Sequence, residues 1–282
     1  MGLKVMTLNL LYAGATNPAG SWSVRLPLVV SVLRSGADII TLQEATAPQI
    51  HDIQAALPDF TVVIGPESGP TRLPRVLLRG TRQGEHCVIL YRTVRFEALE
   101  LSAFWLSHRP HIPGSILVGT WLPRVVNWVR LRERATRKIL TVYNAHLDFL
   151  PWAPLRSVRI LRQMLDLYWD GNLQLLMGDF NASPRSKAYA HLGTQLKPDA
   201  HPSLIDAWQV ASERVGPEGT YHGGTGRVRW MGRLDRILFR PTLSVARVAT
   251  VTHHQGRFYP SDHYPVLGEF GEFGELGDHI AP

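Results

Sequence analysis

Short apolar runs, each closed by an Asn, Glu, His or Asp, recur along this chain. Segment 3–10 (LKVMTLNL) carries Asn9, and the run 37–42 is followed by Gln43 and Glu44. ILTVYNAHLD ends on His146 and Asp148, and LQLLMGDFN on Asp179 and Asn181. Asp235 opens DRILF, and Asp262 and His263 precede the last run. Runs this short read as buried strands. A lone Asp at a strand end is ordinarily a turn or cap residue. So many ends carrying metal-capable groups strain a purely structural account, because ligands gather where strand ends meet loops in α/β architectures.

Further strands are expected at 60–64, 86–91, 94–101, 125–131, 138–145, 173–178, 235–239, 244–252 and 265–270. Helices are expected at 24–35, at 46–57 behind the cap Thr46 with Pro48 in the first turn, and at 154–169. Strands outnumber helices and often follow one another directly. The expected fold is therefore a four-layer α/β sandwich, with two packed, mostly antiparallel sheets flanked by helices. Residues 1–271 are expected to form one domain, and 272–282 a frayed tail. No repeat or membrane-length apolar stretch is present, and the first residues do not read as a signal peptide. A single cysteine, Cys87, rules out an intrachain disulfide, and no His/Cys spacing suggests zinc. Cytoplasm is the default compartment on these absences.

The site residues have a chemical logic. Hydrolysis of a phosphate ester needs an activated water, neutralised oxygens and a stabilised leaving group. Magnesium takes hard oxygen ligands and keeps several waters, so one or two carboxylates suffice. Glu44 is the first choice of ligand, with Asn9 and Asp262 completing the set. Asp179 suits the positioning or deprotonation of water. Asn181, two residues on, would share its side of an extended segment. His146 and His263 can donate hydrogen bonds to phosphoryl oxygens, and each would need a carboxylate partner.

The ordered set TLNL, LQE, NAHLD, GDFN and SDHYPV resembles the endonuclease/exonuclease/phosphatase superfamily, over roughly Leu3 to Phe270. That resemblance implies a magnesium-dependent phosphoesterase, with manganese a plausible substitute. It puts Asn9, Glu44 and Asp262 at the metal, Asp179 at the water, and Asn181 at the water or phosphate. It also implies that Asp235 holds His263, that Glu85 holds His146, and that the histidine-containing NAHLD motif follows the deoxyribonuclease I-like branch. Asn9 is followed by Leu10, Leu11 and Tyr12, with no Asp, which argues against a second tightly held metal. Segments 104–131 and 219–223 look like a bacterial subgroup distantly akin to deadenylase-like members.

The substrate is less constrained. The net charge is +7, and 26 of the 30 basic residues are Arg. This fits a polyanionic substrate and equally a GC-rich genome. The expected substrate is nucleic acid, with a small phosphate ester or phospholipid head group as the alternative and a non-catalytic binding protein as the minor one. Arg72 and Arg75 in loop 65–85, Tyr91 and Tyr221 are the candidate substrate contacts. No protein partner is implied, and a monomer is expected.

Overall fold

The computed structural model describes residues 2–68, 84–193, 201–229, 232–241 and 243–272. The first half runs β1 (Gly2–Asn9), α1 (Trp22–Leu33), β2 (Ile39–Ala45), α2 (Ala47–Ala56), β3 (Phe60–Ser68), β4 (Glu85–Arg92), β5 (Phe96–Trp105), β6 (Val125–Glu133) and β7 (Ile139–His146). Then come α3 (Ala153–Leu167), β8 (Leu173–Asp179), α4 (Lys187–Gly193), β9 (Ile205–Asp206), α5 (Ala207–Val210), β10 (Glu213–Val215), β11 (Asp235–Arg240), β12 (Val245–Thr250) and β13 (Val266–Glu272). β13 extends one residue beyond the expected domain end at 271, and residues 273–282 lie outside the described residues.

One sheet has the order β10-β12-β13-β1-β2-β4-β3, and the other β5-β6-β7-β8-β11-β9. Most neighbours are antiparallel, while β1–β2, β7–β8 and β10–β12 are parallel. Side chains alternate faces along a strand, and that alternation builds the layers. Leu3, Val5 and Ile39 face inward to meet Val142, Leu175 and Ile237 of the other sheet. Met6, Leu8, Ile40 and Leu42 point outward, under Val29 and Val32 of α1 and Ile50 and Ile53 of α2. Tyr143 and Leu176 face outward on the second sheet, under Leu161 and Leu165 of α3. The result is the expected two-sheet sandwich with helices on both outer faces.

The two sheets are also tied by buried amides. Asn144 Nδ2 donates to Leu42 O (2.8 Å) and Val88 O (2.9 Å), and Gln43 Nε2 donates to Asn144 Oδ1 (2.7 Å). Asn127 Nδ2 donates to Cys87 O at 3.1 Å. Such contacts lock the register between sheets, because a buried amide that lost its partner would cost about 1–3 kcal/mol. Gln43, adjacent to Glu44, is thus one of these ties.

Candidate active site

The topology collects the polar strand ends. Parallel pairing of β1 with β2 sets Asn9 opposite Gln43. Parallel pairing of β7 with β8 sets His146 opposite Asp179, and antiparallel β11 sets Asp235 opposite Asp179. Gly178 makes the β7–β8 approach possible, since its φ is +143° and a Cβ there would lie 1.9 Å from Ala145 O. The β2–β4 register shifts between Leu42 and Ala45, a bulge that re-aims Glu44. Leu11, Glu44 and Asn181 have φ of +56°, +57° and +45°, a region non-glycine residues seldom occupy. Backbone strain of this kind concentrates where function requires a particular geometry.

Asn9 links the acidic residues. Its Nδ2 donates to Glu44 Oε1 and to Asp179 Oδ2, both at 3.1 Å, and its Oδ1 accepts from Leu11 N at 3.0 Å. Glu44 Oε2 accepts from Tyr12 N at 3.3 Å. Asp179 Oδ1 accepts from Asn181 N at 2.9 Å, and Asn181 Nδ2 donates to Leu147 O at 3.0 Å. The expectation that Asn181 continues an extended segment is corrected here: its positive φ turns the chain, and the amide clamps the β7 and β8 ends together. Burial, then the charge of Asp235, raise the Asp179 carboxyl above the usual range, against His263, the Asn181 N–H and the Asn9 amide.

The two histidines have different backing. His263 Nδ1 lies 2.8 Å from Asp235 Oδ2, and its Nε2 lies 3.9 Å from Asp179 Oδ2. Burial alone would push the imidazole down, but Asp235, then Asp179 and Asp262, outweigh it and hold His263 well above its ordinary value. His146 Nε2 lies 3.7 Å from Asp179 Oδ2 and 4.0 Å from Glu44 Oε1. Its Nδ1 faces Arg124 Nη1 at 3.1 Å, not the expected Glu85. A guanidinium only donates, so Nδ1 is the acceptor and Nε2 carries the proton. Glu85 is buried at the same end of β4. Arg124 reaches His146 because the β6–β7 register sets Val126 opposite Ala145, which brings residue 124 alongside the end of β7.

The residues present fit a divalent cation. Asp179 and Asp262 are buried, and both carboxyls are raised. For Asp262 the cause is burial, opposed by His263 and reinforced by the charge of Glu44. Asp235 Oδ1 is buried without a hydrogen-bond partner. This crowd of acidic oxygens is short of positive charge. Ligand atoms of Asp179, Asp235 and His263 lie within 4.8 Å of one another. Asp235 and His263, however, already face each other through Oδ2 and Nδ1. Glu44 and Asp262, with Asn9 beside them, offer the harder oxygen set that magnesium prefers.

The expected substrate contacts fare unevenly. Tyr91 is corrected: it packs in the inter-sheet core and pairs with Ile39, at the opposite end of β4 from Glu85. Arg72 and Arg75 lie outside the described residues. Tyr221 stands beside the site, with its ring 5.0 Å from that of His263. Two further organisers went unnoticed in the sequence. Buried Arg25 donates to the carbonyls of Leu10, Leu11 and Pro260 (2.5, 2.8 and 3.0 Å), fixing the loops that follow Asn9 and precede Asp262. Ser261 Oγ donates to Asn9 O at 2.5 Å. An Arg among the apolar residues of α1 was the available signal for the first; nothing distinguished the second.

Residues 6–263 match the family model described as Endonuclease/Exonuclease/phosphatase family. The chain belongs to that family. No curated protein sequence matches it. Among solved structures, a mannosyl-6-phosphatase of Bacteroides thetaiotaomicron is 25% identical with TM-score 0.81, over 96% of this chain and 100% of that one. The human Nocturnin catalytic domain with bound sulfate is 18% identical with TM-score 0.70, over 96% and 93%. D. rerio TDP2 with a single-stranded DNA product is 16% identical with TM-score 0.69, over 96% and 99%. The last two show the fold alone. Family and site together make this a phosphoesterase of the deoxyribonuclease I-like sandwich fold. Among the described residues no helix is long and apolar enough to cross a membrane.

Proposed function

We propose that the chain hydrolyses phosphate esters with the help of a divalent cation, magnesium or manganese, and that its substrate is a small phosphate ester. The observation that carries the chemistry is the convergence of Asn9, Glu44, His146, Asp179, Asp235 and His263 at one end of both sheets. Glu44, with Asn9 and Asp262, would hold the cation. Bound there, it would neutralise phosphoryl oxygens. Asp179, held by Asn9 and by the Asn181 N–H, positions the attacking water and accepts its proton. The Nε2 atoms of His263 and His146 approach Asp179 Oδ2 to 3.9 and 3.7 Å. They donate to phosphoryl oxygens as charge develops. Asp235 holds the His263 ring, and Asn181 braces the strand ends.

Similarity to the mannosyl-6-phosphatase across 96% of this chain and the whole of that one supports the small-ester reading. A nucleic-acid phosphodiester is the second reading, favoured by the arginine-rich +7 charge. A panel of sugar phosphates, inositol phosphates, nucleotides, sphingomyelin and oligonucleotides, assayed with saturating magnesium, separates them. Turnover of oligonucleotides above every small ester would overturn the first reading in favour of the second. Stoichiometric magnesium binding with no turnover of any ester would revive the non-catalytic alternative.

A further inference from the structure

Beside the reaction centre lies a cavity of about 510 Å³ lined by Asn17, Gly20, Gly224, Thr225, Arg257 and Tyr259, among others. It adjoins the metal region through one side chain: Asn17 Nδ2 donates to Asp262 Oδ2 at 3.3 Å. The loop above it is fastened to the same residue, since His222 N and Gly223 N both donate to Asp262 O at 3.0 Å. A group bonded to a phosphate at the site therefore has a cavity of small-molecule size next to it.

The lining decides what that group is. A nucleobase would need a free aromatic face, and each aromatic ring here already has a ring or guanidinium neighbour. Phe258 carries Arg257 over its ring at 5.1 Å, and Gly20 packs against its Cδ1. Tyr259 makes tilted ring contacts with His222 at 4.8 Å and with His254 at 5.3 Å. Tyr221, nearer the reaction centre, has His263 at 5.0 Å and Arg229 at 5.8 Å. Beside the apolar surfaces of Pro18 and Phe258, the cavity offers the Asn17 amide, the Thr225 hydroxyl, backbone at two glycines, and the guanidinium of Arg257. Arg257 is exposed, lines the cavity and makes no ion pair among the described residues.

We infer that this cavity is the leaving-group subsite and that it takes a hydroxyl-rich ring, as in a phosphosugar, with Arg257 and Thr225 determining specificity. The inference rests on the phosphoesterase reading above and narrows its substrate class. Hydroxyl pairs on such a ring accept from the guanidinium and exchange hydrogen bonds with Asn17 and Thr225, whereas a flat base meets rings that already have neighbours.

The test uses the full chain with magnesium and three probes: hexose 6-phosphates, nucleoside 5′-monophosphates, and p-nitrophenyl phosphate, whose leaving group has no hydroxyls. In Arg257→Ala, KM for the hexose phosphates should rise about ten-fold, the loss expected of a hydrogen bond from a charged donor, with kcat and the p-nitrophenyl reaction changed less than about two-fold. Thr225→Trp, which fills the cavity, should remove the hexose preference and spare p-nitrophenyl phosphate. Equal losses on all three probes, no loss on any, or a wild-type preference for nucleotides would overturn the inference. Calorimetric binding of a hexose 6-phosphate is independent of turnover. Binding weakened about ten-fold by Arg257→Ala supports the subsite even if no ester is hydrolysed, and unchanged binding overturns it even if the protein is an active phosphoesterase.

Discussion

His146 at the end of β7 and His263 in the loop before β13 face the same carboxylate oxygen, yet they are held in opposite ways. Asp235 accepts from His263, so that ring is built to carry a positive charge. Arg124 donates to His146 Nδ1, so that ring presents its Nε2–H to the site. Two donors with different backing approach one carboxylate oxygen. In a site already holding several carboxylates, a fixed Nε2–H adds a hydrogen-bond donor beside them. The contrast shows that a shared residue type does not imply a shared role: the atom behind each ring decides it.

The largest expected effect removes the group both histidines face. Asp179→Asn should lower kcat by about 10³-fold or more, within the range of general-base losses. The same substitution should raise the melting temperature of the metal-free protein at neutral pH, because it removes a buried charge whose carboxyl is already raised by burial. A drop in activity with a drop in stability would instead indicate a structural role.

Asp235→Asn should come next, at about 10²-fold, because it withdraws the carboxylate that charges and orients His263. Arg124→Met should cost less, about ten-fold, and Arg124→Gln should recover most of it, since an amide can still donate to Nδ1. Long-range nitrogen–proton correlation spectra would read the His146 tautomer directly. Nδ1 should be unprotonated in the wild type and in Arg124→Gln. A protonated Nδ1 in the wild type would remove the distinction between the two rings.

The smallest effect is on stability against pH. The folded pKa of His263 lies above its unfolded value of about 6.5. The stability contributed by its ion pair is therefore complete below that value and fades as pH rises through the folded pKa. Thermal melts of the metal-free protein should show this decline above neutrality, and Asp235→Asn should flatten it.

The sandwich was legible because its strands are buried on alternating faces: Leu3 and Val5 against Met6 and Leu8 announce a two-sided strand. β9, α5 and β10 were not legible, because elements of two to four residues carry no periodicity. The metal-capable residues were visible at strand ends, since topology alone gathers them. Arg124 was not, because its approach to His146 depends on a hairpin register 22 residues apart in sequence. Tyr91 misled for a related reason: its nearness to Glu85 in sequence becomes opposite ends of one strand once β4 is extended. The turn at Asn181 was hidden too, because a positive φ at an Asn leaves no mark in the pattern of apolar residues.

The central claim is that water, positioned by Asp179, attacks phosphorus at this site. Hydrolysis of p-nitrophenyl phosphate in oxygen-18 water tests it most directly, with the released phosphate read by mass. The wild type with magnesium should release phosphate carrying one solvent oxygen, chelation should stop release, and Asp179→Asn should nearly abolish it while the protein stays folded. Label found in the alcohol, or release undiminished in Asp179→Asn, would contradict the account.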